Sequence, residues 1–249
     1  MSLMPRTPDR WVLAALALRL YQHFQTGWHA LPIANRRRWL TVVCAGAAGM
    51  FGFMVALVSF GKIVEARSLL RWESGFVRMI EMRGPFGFSS AIWFQTFGTD
   101  ITLAILVLFS IGICAWKARP LSAFSILLAY IGVDLVVRFG WAMWDRSRPD
   151  LIAQGVAAPA FHSFPSGHTG KTVAIYGFLA SLWWRASNKT TERVFILAIT
   201  AGITVIVPLA RMRMGVHWPS DLLGGYVTGL FWLMILLWAA RQETAASRR

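Results

Sequence analysis

Three short polar stretches stand out against an otherwise apolar chain. They are Arg146-Ser147-Arg148-Pro149, Phe164-Pro165-Ser166-Gly167-His168, and the run from Arg211 through His217 to Asp221. Arg148 and Arg211 offer planar guanidinium forks that match the oxygens of a phosphate. Ser166, Gly167 and His168 lead directly into an apolar segment. If a helix starts there, its free backbone N–H groups and positive dipole end face any bound anion, and Gly167 lets the backbone approach closely. His217 and Asp221 are four residues apart, a spacing at which one helical turn sets a carboxylate beside an imidazole. The carboxylate would fix the tautomer at one ring nitrogen and leave the other free to attack. His168 would then protonate the leaving oxygen. Two arginines, a helix start, a nucleophile and an acid make a phosphoryl-transfer site without metal.

The elements that must position these residues are membrane spans. The chain has 249 residues, 56% hydrophobic and 14% charged, with 13 Trp and 17 Phe. A soluble domain has about 45–50% apolar and about 25% charged residues. The composition excludes a soluble globular fold and a disordered chain. Two cysteines exclude a disulfide scaffold, and Cys44 and Cys114, inside apolar runs, read as buried small residues. Six runs read as spans, which need about 20 apolar residues: 39–60, 101–116, 121–144, 169–184, 194–209 and 222–240. Residues 9–31 read as an amphipathic helix lying on the membrane surface. In 68–82, Leu69, Trp72, Phe76, Met79 and Ile80 recur at helical spacing, which predicts a second interfacial helix on the outer side, ended by Gly84-Pro85. The predicted class is all-α, an integral membrane bundle of six transmembrane helices with an N-terminal and an outer interfacial helix. Its divisions are an N-terminal segment 1–38, a six-span domain 39–240 and a tail 241–249.

The formal charge of +14 is largely topological. With a cytoplasmic N-terminus, the inner segments 1–38, 117–120, 185–193 and 241–249 hold 14 basic and three acidic residues, against 11 and eight in the remainder. Such an excess marks the cytoplasmic side. Both termini then fall inside, and all three polar stretches fall at the outer ends of spans. Ionisable residues near a bilayer are costly and mark functional sites by default. A nucleic-acid binder would carry its charge as an exposed stripe on a soluble fold; six apolar spans exclude it.

These residues carry a resemblance. Arg148-Pro149, then Pro165-Ser166-Gly167-His168, then Arg211-x5-His217-x3-Asp221 are similar to the three-part signature of the type 2 phosphatidic acid phosphatase (PAP2) superfamily of membrane lipid phosphatases. That signature reads Lys-x6-Arg-Pro, Pro-Ser-Gly-His and Ser-Arg-x5-His-x3-Asp. The resemblance covers about residues 40–240. It implies six spans with both termini cytoplasmic, His217 as the nucleophile forming a phosphohistidine, Asp221 orienting it and His168 as general acid. It also implies that Arg148, Ser166, Gly167 and Arg211 hold the phosphate oxygens, with no metal or other cofactor. Two positions depart from the signature. Its first lysine falls on Trp141, and its serine before Arg211 is Ala210. Arg138, one turn before Trp141, is the candidate to take the lysine's place, unless Asp134 pairs with it at i,i+4. Losing one charged hydrogen bond would weaken catalysis roughly tenfold to a hundredfold without abolishing it.

Other residues read more plainly. The aromatic residues form interfacial belts, His162 is a loop histidine, and Arg146 and Arg213 are rim or headgroup charges. Lys171, in the first turn of the fourth helix, lies near the site, and its sequence position leaves open whether it serves there. The expected activity is phosphate hydrolysis from a lipid at the outer face of a bacterial inner membrane: phosphatidate, phosphatidylglycerophosphate, a polyprenyl diphosphate or lipid A. The alternatives are a phosphotransferase using the same phosphohistidine, and a non-catalytic lipid-phosphate binder or transporter. Binding alone does not need a paired nucleophile and acid, which argues against the last.

Overall fold

The computed structural model describes residues 9–66, 69–151 and 161–246. Arg6, Arg248 and Arg249, which enter the charge asymmetry, and Ser68, the first residue of the expected outer helix 68–82, lie outside the described residues. Nine helices occur among the described residues, and no strand: α1 (Asp9–Ala30), α2 (Ile33–Ala66), α3 (Leu69–Arg83), α4 (Phe88–Gln95), α5 (Asp100–Trp116), α6 (Pro120–Met143), α7 (Gly167–Ala186), α8 (Thr190–Arg213) and α9 (Pro219–Ala246). A 3₁₀ turn, Thr96–Gly98, joins α4 to α5.

Among the described residues, five stretches are long and apolar enough to cross a membrane: Ile33–Ala66, Phe88–Trp116, Pro120–Met143, Thr190–Arg213 and Pro219–Glu243. The expected fourth span, 169–184, lies inside α7, which has the length of a span at 20 residues but is not among the five. Its surroundings explain the difference. Packed on α5, α6, α8 and α9, α7 sits at the centre of the bundle. It buries Thr169, Lys171 and Thr172 against protein, so it needs less apolar surface than a helix facing lipid. The outer helices carry the exposed apolar surface instead, as at Ile105, Leu108 and Phe109 of α5, Val194 and Phe195 of α8, Val55 and Phe60 of α2, and Leu223 and Met234 of α9. The protein is a multi-pass membrane protein.

Two further expectations change. The loop 61–99 holds α4 as well as α3; α4, only eight residues long, is too short to announce itself by periodicity. In α3 the buried edge is Glu73, Val77 and Ile80, while Trp72 and Met79 of the expected apolar stripe are exposed. Of the two free cysteines, Cys114 is buried as expected and Cys44 is exposed.

The packing that matters for chemistry is that of α7 on α9. A Cβ on Gly225 would lie 2.6 Å from the Ser166 carbonyl oxygen, and one on Gly229 2.6 Å from that of Gly170. Glycines at these crossings let two backbones meet, as small residues do between membrane helices. The start of α7 is thereby pressed against the start of α9. At 34 residues α2 extends about 51 Å at 1.5 Å per residue, well beyond the roughly 30 Å hydrocarbon core. Its overhang carries Glu65 up to the loops.

Candidate active site

Each polar stretch is set in place by local structure that its own residues dictate. After α8 the chain reverses at Gly215, whose φ of 73° favours glycine. Gly215 N–H donates to the Met212 carbonyl at 2.9 Å and Val216 N–H to that of Arg211 at 3.2 Å, a Schellman closure of the helix. The reversal carries the chain from Arg211 round to His217. Trp218 then caps α9, Pro219 takes its first position, and the Asp221 carboxylate reaches back to accept from the Trp218 backbone N–H at 2.7 Å. Ser166 caps α7. Its Oγ accepts from the Thr169 hydroxyl at 3.0 Å, and its own N–H donates to the Asp221 carbonyl at 2.9 Å. Trp218 Nε1 donates to the Ser147 carbonyl at 2.8 Å, and Trp141 Nε1 to that of Pro165 at 3.1 Å. Backbone and side-chain hydrogen bonds together thus join the three stretches.

His217 is 1% exposed and Asp221 is fully buried. His217 Nδ1 lies 3.4 Å from Asp221 Oδ2, a contact longer than a good hydrogen bond. With Nδ1 turned to the acid, Nε2 is the nitrogen left for chemistry. Burial pushes the His217 pKa down to about 4, against the pull of Asp221 and with help from the Arg211 and Arg148 charges. The imidazole is therefore neutral, as a nucleophile must be. His168, in the first turn of α7, lies within electrostatic reach of His217, Arg211, Arg148 and Lys171.

The two arginines are fixed from behind. Arg148 donates to the carbonyls of Val216 (2.5 Å), His162 (3.2 Å) and Phe161 (3.3 Å). A guanidinium has five donors, so two remain for an anion. Arg211 donates Nη1 to Gln95 Oε1 of α4 at 2.8 Å, while its Nε is buried without a partner. A Cβ on Gly167 would meet Val137 Cγ1 at 3.3 Å, so this first position of α7 has no room to spare. The structure brings His168, His217, Asp221, Arg148, Arg211, Ser166 and Gly167 to one end of the bundle. A guanidinium pair, a helix N-terminus and a neutral buried imidazole suit an anionic tetrahedral group.

Arg138 is not brought there. Its side chain is 65% exposed, and Nε donates to Asp134 Oδ2 at 2.6 Å, the i,i+4 alternative. Exposed pairs of this kind contribute little. Replacing Arg138 by Ala should therefore leave kcat/KM for a lipid phosphate within about twofold of wild type, measured by steady-state phosphate release. The buried cation near His168 is Lys171, one turn further along α7, which pairs with Asp100 and lies 3.2 Å from Asp134.

Arg146 corrects the sequence reading most sharply. It is no rim charge. Its side chain is 1% exposed, and it binds Asp221 Oδ1 (2.5 Å), Glu73 Oε2 (2.5 Å), Glu65 Oε1 (2.9 Å) and Ser220 Oγ (2.7 Å), with its guanidinium near the Trp144 and Trp218 rings. Burial works against its charge, but Asp221, Glu73 and Glu65 outweigh it and raise its pKa. Ser163 donates its hydroxyl to Asp221 Oδ2. Ser163, Ser220, Gln95 and Glu73 were all missed from sequence. Only Glu73 left a signal, being an acid beside Val77 and Ile80 on one helical edge. Arg213 lies beside Gly84, behind α3.

Comparison with known proteins gives the chain's family and fold. Residues 122–245, which include all three polar stretches, match the family model of the PAP2 superfamily. Phosphatidylglycerophosphatase B of Bacillus subtilis (strain 168) is 32% identical over 111 residues, 42% of this chain; the chain spans about half of that relative's length, 52%. Two solved structures share the fold at 20% identity. The first, described as a transmembrane PAP2 type phosphatidylglycerolphosphate phosphatase from Bacillus subtilis, has a TM-score of 0.64 over 77% of this chain and 94% of that one. The second, Aquifex aeolicus LpxE, has 0.51 over 67% and 93%. With its three motifs inside the matched region and its helices arranged as in these structures, the chain belongs to the PAP2 superfamily.

Proposed function

We propose that the chain is a membrane lipid phosphatase that cleaves a phosphate monoester or diphosphate of a lipid through a phosphohistidine on His217. The observation that carries this reading is the buried neutral imidazole, backed by Asp221 and set among Arg148, Arg211 and His168. His217 Nε2 attacks phosphorus, the phosphorus–oxygen ester bond breaks, and the leaving alkoxide takes a proton from His168. Asp221 stabilises the positive charge that grows on the His217 ring. Arg148, Arg211 and the N–H groups at the start of α7 hold the equatorial oxygens, where charge spreads in the transition state. Water then gives its proton to His168 and attacks phosphorus; the phosphorus–nitrogen bond breaks and inorganic phosphate leaves. An acceptor alcohol in place of water would make the same intermediate a phosphotransferase.

The names of the relatives favour a phospholipid monoester such as phosphatidylglycerophosphate over a diphosphate. The charge asymmetry of the sequence supports cytoplasmic termini, a site on the outer face of an inner membrane and 39–240 as the working unit. Every role in the scheme has a side chain, so we take the reaction to need no metal.

The test is release of inorganic phosphate by the purified chain in mixed micelles, across phosphatidylglycerophosphate, phosphatidate, a polyprenyl diphosphate and lipid A, with and without EDTA. Release from at least one lipid, unchanged by the chelator, is expected. Binding of these lipids with no release from any would leave a lipid-phosphate binder; release abolished by EDTA would remove the metal-free scheme.

A further inference from the structure

Nothing in the reaction just described uses Glu73, yet it is fully buried and charged partners surround it. It stands on α3, the outer helix expected to lie along the membrane surface. Its Oε2 takes the Arg146 Nη2 donor at 2.5 Å. Its Oε1 accepts from the Ser220 backbone N–H at 3.0 Å and from the Ser220 hydroxyl. Ser220 is the residue before Asp221, and Arg146 Nη1 ends on Asp221 Oδ1 at 2.5 Å. Glu73 therefore grips both the backbone of the first α9 turn and the guanidinium that holds one oxygen of Asp221. The other oxygen receives the Trp218 N–H and the Ser163 hydroxyl, and faces His217 Nδ1. Held at both ends, the carboxylate cannot rotate away from the imidazole.

Burying two carboxylates around one guanidinium is an expensive way to secure a fold, because well-packed apolar residues usually do it as well. The arrangement makes sense where orientation is the product. The other side of α3 leaves Trp72 56%, Met79 42% and Met82 75% exposed, a surface suited to a lipid interface. One helix thus joins that surface to the carboxylate.

We infer that Glu73 is a positioning residue: through Arg146 and Ser220 it holds Asp221 in register with His217, which makes the outer helix α3 part of the catalytic machinery. This rests on the reading of His217 and Asp221 as nucleophile and orienting acid.

The test is a double-mutant cycle on the whole chain in mixed micelles with phosphatidylglycerophosphate, or whichever lipid the panel selects, comparing wild type, Glu73→Gln, Asp221→Asn and the double variant. Glu73→Gln should lower kcat roughly tenfold to a hundredfold, the worth of a lost charged contact, with KM changed less than about threefold. In the Asp221→Asn background the same change should cost less than about threefold, because the group it acts through is gone. Glu73→Asp, which keeps the charge, should lie between wild type and Glu73→Gln; if the Gln variant does not fold, Glu73→Asp carries the cycle instead. An undiminished loss in the Asp221→Asn background, or an unchanged kcat, overturns the proposal and leaves Glu73 structural. If Asp221→Asn alone keeps wild-type kcat, the dyad reading itself has failed and the proposal falls with it.

Discussion

His217→Ala should release phosphate from lipid at least about 10³-fold more slowly than wild type, with lipid binding retained. The magnitude follows from what is lost. An active-site nucleophile is not one contact among many, and removing it leaves only the residual acceleration that positioning and electrostatic stabilisation supply. Binding survives because Arg148 is fixed by three carbonyls and Arg211 by Gln95, none of which belongs to the His217 side chain. The loss should therefore appear in kcat and not in KM. A second measurement separates a nucleophile from a base. With p-nitrophenyl phosphate, whose leaving group departs without a proton, His168→Ala should still undergo attack but fail to activate water. Labelled phosphate should then accumulate on the chain as an acid-labile, base-stable adduct, and His217→Ala in the same background should show none. Phosphate release by His217→Ala at the wild-type rate, or label found on another residue, would remove His217 from the nucleophile's role.

The residues of this site differ in how far they could be read in advance. His168, His217, Asp221, Arg148 and Arg211 stand in short stretches whose spacing is itself chemical, and a turn at Gly215 or a cap at Ser166 is written in residues next to them. Local signals of that kind survive without knowledge of the fold. Arg146 and Glu73 are 73 residues apart and meet only because α3 folds back over the start of α9. Alone, each reads as one more charge at an interface. The same blindness made a loop of α4, although it supplies Gln95 to Arg211. It also offered Arg138 as a stand-in for a lysine, because chain distance along α6 was visible and the nearer claim of Asp134 could be posed but not decided. The spans were legible from composition, with α7 as the instructive exception. A helix enclosed by others is released from the demand that lipid places on their apolarity, and its polar first turn is where it serves the site.

Asp221→Asn should lower kcat/KM about 10²- to 10⁴-fold, and it should move the acid limb of the pH profile downward. The first effect comes from orientation. The amide can present its N–H₂ to Nδ1 and stabilise the tautomer whose proton sits on Nε2, where the attacking lone pair belongs. It also offers no charge to the imidazolium that forms. The second effect has a sign fixed by the surroundings. In the free protein the His217 pKa is pushed down to about 4, chiefly by burial, with Arg211 and Arg148 adding to the depression and Asp221 the counterweight. Since kcat/KM reports ionisations of the free enzyme, the wild-type acid limb from His217 should lie near that value, well below the ordinary imidazole pKa of about 6.5. Removing the counterweight, and with it one of the three carboxylates around the buried Arg146 charge, disfavours the imidazolium further. The variant's residual activity should then show no acid limb from His217 down to pH 4. The lipid phosphate has its own second ionisation near about pH 6; it enters both profiles alike and cancels in their ratio. Measuring kcat/KM from pH 4 to 9 for both proteins checks the sign. A ratio that shows the variant's limb displaced upward, toward 6.5, would mean that the group titrating in the profile is not the one beside Asp221.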